Sequence, residues 1–245
     1  MADNPFGDYI RQRRLDAWLT RTELAKKANL SVSLIEKIEL GTRQPTLHAL
    51  QILFDTLDVA PMYRRYILDQ SLPGLLGPPT LVTPSHQNEE DFAELAAFNT
   101  PASFYTLPTF AIVAANTAHH QAFPGLLPGT SFPEWLFLNP IAREVIVNWH
   151  QEAQRCLHSI RQLSPNITKD RRLSAMAAKC SQASEWDELW NSKHSTPFAP
   201  SILVRNPSNH QIRELRVRTY SPECPQRAWW ICHLVPSPAQ RRSSR

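Results

Sequence analysis

Residues 20–46 read TRTELAKKANLSVSLIEKIELGTRQPT, and the fold of the first 70 residues turns on them. Thr20-Arg21-Thr22-Glu23 is a capping box: the Thr20 hydroxyl can accept from the Glu23 amide while Glu23 reaches back, so a helix opens at Arg21. It is brief, to Ala28, because Asn29 tolerates the left-handed backbone that stops a helix. Ser31 caps a third helix, expected over 32–40, and Gly41 supplies its left-handed end. Leu24, Ala25 and Ala28 face inward from one helix, Ile35 and Ile38 from the next, and Leu30 plugs the turn. Val32, Ser33, Glu36 and Lys37 are left on the outer side. Two short helices joined through Asn29-Leu30-Ser31 have the geometry of a helix-turn-helix, which lays its second helix in a DNA major groove.

Outward from this stretch the reading continues in helices. Residues 6–18 form the first, with Phe6, Ile10, Leu15 and Trp18 on a broad apolar side. Pro45-Thr46 starts a fourth, to about Leu57, with Leu47, Leu50, Ile52, Leu53 and Leu57 as its apolar set, and Pro61 opens a fifth, to about Gln70. Only three of the 21 prolines precede residue 73. Residues 72–87 are Pro-rich without a sustained period and read as a linker. The domains expected are therefore 1–71, helical; 72–87, linker; 88–236, a second unit; and 237–245, a basic polar tail.

Composition narrows the classes. The 245 residues are 42% hydrophobic and 20% charged, enough for packed cores and too little charge bias for a disordered chain. Six glycines argue against Gly-rich phosphate loops and against an all-β fold of tight turns. No apolar run approaches a membrane span, and MADNPFGDYI lacks the features of a signal peptide, so the expected location is cytoplasmic. The net charge of +4 is spread over both halves; it permits a nucleic-acid partner without demanding one. Cys156, Cys180, Cys224 and Cys232 contain no C-x-x-C pair and read as free thiols.

The second unit carries six of the seven tryptophans. Expected in order are a helix at 88–98, strands near 102–107 and 110–114, a helix at 116–123, a long helix at 141–162, helices near 169–182 and 184–192, and strands at 201–206, 212–220 and 228–234. The sum is a mixed α/β sheet with a cluster of helices inserted between early and late strands, so the fold class expected for the chain is α + α/β. In the middle late strand, Ile212, Leu215, Val217 and Tyr220 interleave with arginines. Trp229 and Trp230 should straddle the last strand, one side chain in and one out. His119-His120 reads as a solvated surface pair, since adjacent residues point apart on a helix. Cys224, Cys232 and His233 lack a fourth ligand at regular spacing, and no G-x-S-x-G elbow occurs, so neither a metal, a cofactor nor an enzyme is expected.

Two resemblances sharpen this. IRQRR (10–14), residues 20–46 and the leucine-rich helix after them resemble the Xre family, of the phage-repressor and Cro type. The resemblance covers about residues 6–70 and implies a five-helix DNA-binding domain in which Arg14 and Glu39 form an internal ion pair. Val32 and Ser33 stand where many relatives carry amides. PASFYTLPTFAIVAANTAHHQAF (101–123), FPEWLFLNPIAREVIVNWHQEAQRCLHSIR (132–161) and DRRLSAMAAKCSQASEWDELWNSKH (170–194) resemble the MmyB-like ligand-binding domain. That resemblance implies a PAS-like fold with an apolar sensor pocket between sheet and helices, its candidates Phe104, Phe110, Ile112, Trp135, Phe137, Trp149, Trp186 and Trp190.

The expected function is a sequence-specific, dimeric DNA-binding transcription regulator whose second domain senses a small molecule, apolar or fatty-acid-like. Arg21, Thr22, Thr42 and Arg43 are the candidate phosphate contacts. Ser31, Val32, Ser33, Glu36 and Lys37 form the reading face, where Lys37 could donate to guanine and Val32 could pack on a thymine methyl. The alternative is an antitoxin-like DNA-binding protein whose second domain docks a protein partner.

Overall fold

The computed structural model describes residues 4–72, 74–75, 87–163, 171–192, 201–222 and 227–238. Most of the expected linker, Cys224, the start of the helix expected at 169 and residues 239–245 of the tail lie outside the described residues. The chain divides into two compact units, Met1–Thr80 with Arg161–Asp170, and Leu81–Ile160 with Arg171–Arg245.

Among the described residues of 4–75, the first unit forms five helices: α1 (Pro5–Asp16), α2 (Arg21–Ala28), α3 (Val32–Glu39), α4 (Leu47–Thr56) and α5 (Pro61–Ser71). Asn4 caps α1 by accepting from the Gly7 amide at 3.1 Å. The buried side of α1 is Phe6, Tyr9, Ile10, Arg13 and Arg14. Leu15 and Trp18, expected inside, are 48% and 75% exposed. Leu15 is nine residues past Phe6, about half a turn out of phase at roughly 100° per residue, and Trp18 stands beyond the helix at φ 57. Tyr9 fills the place instead, against Phe54 and Phe6. In α4 the buried set is Ala49, Leu50, Leu53 and Phe54, with Leu57 just beyond, while Leu47 is exposed and Ile52 half-buried.

The second unit is built on a five-stranded sheet of order β2-β1-β5-β4-β3, comprising β1 (Ala102–Thr106), β2 (Ala111–Ala115), β3 (Ser201–Arg205), β4 (Ile212–Tyr220) and β5 (Trp230–Pro236). Every pairing among the described strands is antiparallel, which fits an α+β molecule. The strand alternation in β4 is weaker than expected: Leu215 is buried, but Ile212 and Tyr220 are 46% and 40% exposed. The helices are α6 (Glu89–Ala97), α7 (Thr117–Ala122), α8 (Phe132–Leu138), α9 (Pro140–Val145), α10 (Trp149–Leu163), α11 (Arg171–Cys180) and α12 (Trp186–Asn191).

Two differences from the sequence reading have physical causes. The helix α8 was not expected; Ser131 caps it through the Glu134 amide and Pro133 occupies its first turn. The long helix expected at 141–162 is broken at 146–148. Ile146 forms a bridge to Val204, the Val147 amide donates to the Leu203 carbonyl at 3.0 Å, and the Asn148 side chain accepts from the Leu203 amide at 3.3 Å. The edge strand β3 presents unpaired backbone groups, and satisfying them outweighs one turn of helix.

Asn116 ties the sheet to α6 and α7. Its side-chain nitrogen donates to the carbonyls of Leu95, Phe98 and Thr100, and its oxygen accepts from the amides of Ala102 and His119. A core of Leu95, Ala102, Phe104, Ala114, Trp229 and Ile231 lies beneath α6. Asp91 of α6 pairs with Arg227 at 2.9 Å, both side chains buried.

Candidate functional site

The α2–α3 pair is held by groups close in sequence and by one buried carboxylate. The Thr20 hydroxyl accepts from the Glu23 amide at 3.1 Å, and Glu23 accepts from the Thr20 amide at 2.7 Å. The Thr20 amide and the Thr20 hydroxyl, which also donates to that carboxylate at 2.7 Å, lower the Glu23 carboxyl below the usual range. Asn29 turns left-handed at φ 51, and Ser31 caps α3 through the Leu34 amide at 3.2 Å. Leu24, Ala25, Ala28, Ile35 and Ile38 are all buried, while Leu30 is half-buried in the turn.

Glu39, at the end of α3, has a fully buried side chain. Arg14 meets it through two nitrogens at 2.6 and 3.1 Å, and Arg21 meets it at 2.8 Å. Burial alone would raise the Glu39 carboxyl; the hydrogen-bonded guanidinium groups of Arg14 and Arg21 outweigh it and hold the group below the usual range. The same carboxylate therefore fixes α1, α2 and α3. The end of α3 is gripped again from Asn4, whose side chain donates to the Glu39 carbonyl at 3.1 Å. A side chain at Gly7 or Gly41 would collide with that Asn4 amide, which explains glycine at both.

Against this scaffold the candidate DNA-contacting residues separate cleanly. Ser31, Val32, Ser33, Glu36 and Lys37 are exposed on one side of α3, with Val32 at 42%. Thr22, Thr42 and Arg43 are exposed at the flanking ends. Arg21 is half-buried and shared: besides Glu39 it lies 4.0 Å from Glu36. Thr42 is tethered, its amide at 2.9 Å and its hydroxyl at 3.3 Å both donating to the Lys37 carbonyl. The arrangement offers one cation, one hydroxyl and one branched apolar side chain from α3, with cations at either side. That is the chemistry needed for base edges flanked by phosphates.

In the second unit the eight aromatic and aliphatic candidates sit in several packing environments. Phe104 stacks on Trp229 at 5.6 Å in the core under α6. Phe110 stacks on Tyr105 at 5.7 Å, and Ile112 pairs with Tyr105 across β1 and β2, on the opposite face of the sheet. Trp135 packs on Phe132 and Phe123 and donates to the Pro124 carbonyl at 2.8 Å. Phe137, Trp149, Trp186 and Trp190 make one continuous run: Phe137 lies edge-on to Trp149 at 5.5 Å and to Trp186 at 5.1 Å, and Trp186 stacks on Trp190 at 5.5 Å. Arg143 covers the Trp149 face at 3.9 Å, and Trp149 donates to the Leu136 carbonyl at 2.8 Å. Trp190 is half-buried. Trp229 is buried and Trp230 half-buried, as the straddled strand requires.

His119 corrects the sequence reading. It is 5% exposed, not on the surface, lying beside Phe123 at 5.1 Å, with its Nδ1 buried and without a hydrogen-bond partner among the described residues. Burial, and secondarily His120, push its pKa down to about 3, so it is a neutral ring in an apolar setting. The Asn116 cap one turn earlier aims it inward; an Asn before an amphipathic turn was the signal that could have shown this. Tyr9 and Gln162 give no sequence signal because their partners are more than 100 residues away, and Asn116 reads as a helix cap alone although it also holds α6 and β1.

Among the described residues no group of three or more His, Cys, Asp or Glu is placed to hold a metal ion, and no helix is long and apolar enough to cross a membrane. A family model for a helix-turn-helix domain matches residues 5–65. A second, for the MmyB-like transcription regulator ligand binding domain, matches residues 95–245. No curated protein matches the chain. The matched segments are those the geometry sets apart: the capped helix pair with its exposed α3, and the antiparallel sheet with its aromatic helices. Since the second match spans more than half of the chain, the protein belongs to the MmyB-like transcription regulator ligand binding domain family, and it joins that domain to a helix-turn-helix domain of the DNA-binding kind.

Proposed function

We propose that the protein is a sequence-specific DNA-binding regulator that acts as a dimer, and that its second half binds an apolar small molecule. The observation that carries this is the division of α3: Ile35, Ile38 and Glu39 are locked inside while Ser31, Val32, Ser33, Glu36 and Lys37 stand outside. Lys37 donates to guanine O6 and N7, Ser33 hydrogen-bonds a base edge, and Val32 covers a thymine methyl. Arg43, Thr22, Thr42 and the outer part of Arg21 meet phosphates on either side. An eight-residue reading helix makes few base contacts. Two copies on half-sites about one DNA turn apart, roughly 34 Å, supply the missing affinity.

For the second half, the Phe137–Trp149–Trp186–Trp190 run favours a ligand with a flat or extended apolar body, laid against aromatic faces that already satisfy their own N–H groups where Trp149 is concerned. Phe104, within the core under α6, is assigned to packing, while Phe110, Ile112 and Trp135 remain wall candidates. Ligand action on DNA binding then requires only differential affinity for two states of the dimer, typically about 1–3 kcal/mol.

The test is native mass spectrometry of the purified chain with a duplex enriched from a random pool. Two chains per duplex, plus a small adduct released on denaturation, are expected. A single chain per duplex would remove the dimer. A tightly held protein partner in place of the adduct would make the second half a docking domain of the antitoxin kind.

A further inference from the structure

The first compact unit takes in residues 161–163, the last turn of α10, so α10 is the one described element with residues in both units. Gln162 in that turn is 3% exposed. Its side-chain oxygen accepts from the Ala60 amide at 3.1 Å, 102 residues away in sequence. Its side-chain nitrogen donates to the Asp58 carbonyl at 3.0 Å, and its backbone carbonyl accepts from the Tyr9 hydroxyl at 3.0 Å.

These three groups are ones the five helices leave open. Ala60 precedes α5 and has no side-chain cap of its own to offer that helix. Asp58 stands at φ 52, where the chain turns from α4 into α5. Tyr9 is 6% exposed among aromatic rings, where an unpartnered hydroxyl is costly. One residue thus ties α1 to the α4–α5 turn. Those elements are the bed of the helix-turn-helix, since α1 packs on α3 and α4 on α2.

We propose that Gln162 is a positioning residue for DNA binding, supplied from within the sequence of the ligand-binding domain and setting the geometry of α1 and the α4–α5 turn on which α2 and α3 rest. The proposal rests on the DNA-binding reading of the first unit. It makes that unit discontinuous in sequence: the segment 1–71 lacks one of its parts.

The full-length chain tests it, with Gln162→Ala, Gln162→Glu and Leu163→Ala compared. Two quantities are read: exchange of the Ala60 amide by NMR, and affinity for a duplex enriched from a random pool by the wild type. Gln162→Ala should speed Ala60 exchange about tenfold or more and weaken DNA binding about fivefold. Gln162→Glu keeps an acceptor for Ala60 and should restore its protection. Leu163→Ala removes buried apolar volume from the same turn and lowers the melting temperature; measured well below that temperature, its DNA affinity should stay within about twofold of wild type. Should Gln162→Ala fail to fold, Tyr9→Phe removes the third bond and should weaken DNA binding in the same direction. Unchanged Ala60 exchange in Gln162→Ala overturns the proposal, as does DNA affinity that simply follows melting temperature across all variants. A wild type that enriches no duplex, with Ala60 still responding to Gln162→Ala, overturns the DNA-binding reading itself and with it the positioning role, while leaving the hydrogen bond in place.

Discussion

The helix-turn-helix and the sheet domain are held together at different ranges of sequence. The caps of α2 and α3 bond across three residues, and even the Arg14–Glu39 pair spans only 25. The sheet domain closes through Ala102 against His233 and Asp91 against Arg227, more than 130 residues apart. The helix pair α2–α3 of the first region therefore acquires its shape from near neighbours and can keep an outer face free for a partner, while the helices beneath it take one long-range tie, from Gln162. The second acquires its shape only when its ends meet, and its aromatic side chains are placed by that meeting.

The sharpest way to break the first region is to remove its buried carboxylate. Glu39→Ala leaves the buried Arg14 guanidinium without its charge partner, with the Leu19 carbonyl still accepting from it, and should cost about 3–5 kcal/mol, read as loss of amide protection across residues 4–72. Lowering the pH asks the same question without a mutation. The Glu39 carboxyl is depressed in the folded chain, so its contribution is complete above the ordinary value of 4.5 and is lost as the pH falls through the lower folded value.

The matching break in the second region is Asn116→Ala. It deletes five hydrogen bonds that join α6, α7 and β1 and should cost about 2–3 kcal/mol. Tryptophan fluorescence reads it selectively, since six of the seven tryptophans lie in that half. His119 gives a finer comparison. Its folded pKa is about 3, against an ordinary 6.5, so stability is full above 6.5 and falls as acid protonates the unfolded chain first. Between pH 6.5 and 5 it should contribute up to about 1.4 kcal/mol per pH unit to that fall. His119→Phe should flatten the slope without loss at neutral pH, because among the described residues the buried Nδ1 has no hydrogen bond to lose. The smallest effect is expected from Thr20→Ala, which opens the capping box of α2 for about 1 kcal/mol, measured by urea titration.

The same difference in range explains what could be read from the sequence. Thr20, Glu23, Asn29, Ser31 and Gly41 act on neighbours three or four residues away, so the boundaries of α2 and α3 were legible almost to the residue. Leu15 was misplaced through phase: apolar character was counted where helical angle decides. The break at 146–148 was illegible because Val145, Ile146 and Trp149 keep helical spacing across it, while the competitor, the edge of β3, lies some 55 residues on. The ligand candidates share a residue type, and type cannot tell the Phe104 core from the Phe137 run; their packing neighbours separate them. Gln162 gave no signal, since one polar residue near the end of a long helix looks like a solvated one.

The proposed reading of bases by α3, with phosphates held at its flanks, is open to direct measurement. Its most direct test is selection of duplexes from a random pool by the wild type, Lys37→Ala and Arg43→Ala, followed by affinities on the enriched site at several salt concentrations. The wild type should enrich one sequence. Lys37→Ala should lose about 1–3 kcal/mol on that sequence and relax one base position. Arg43→Ala should weaken every duplex alike and reduce the salt slope by about one. Enrichment that is identical in the wild type and Lys37→Ala, or no enrichment by any of the three, would contradict the account.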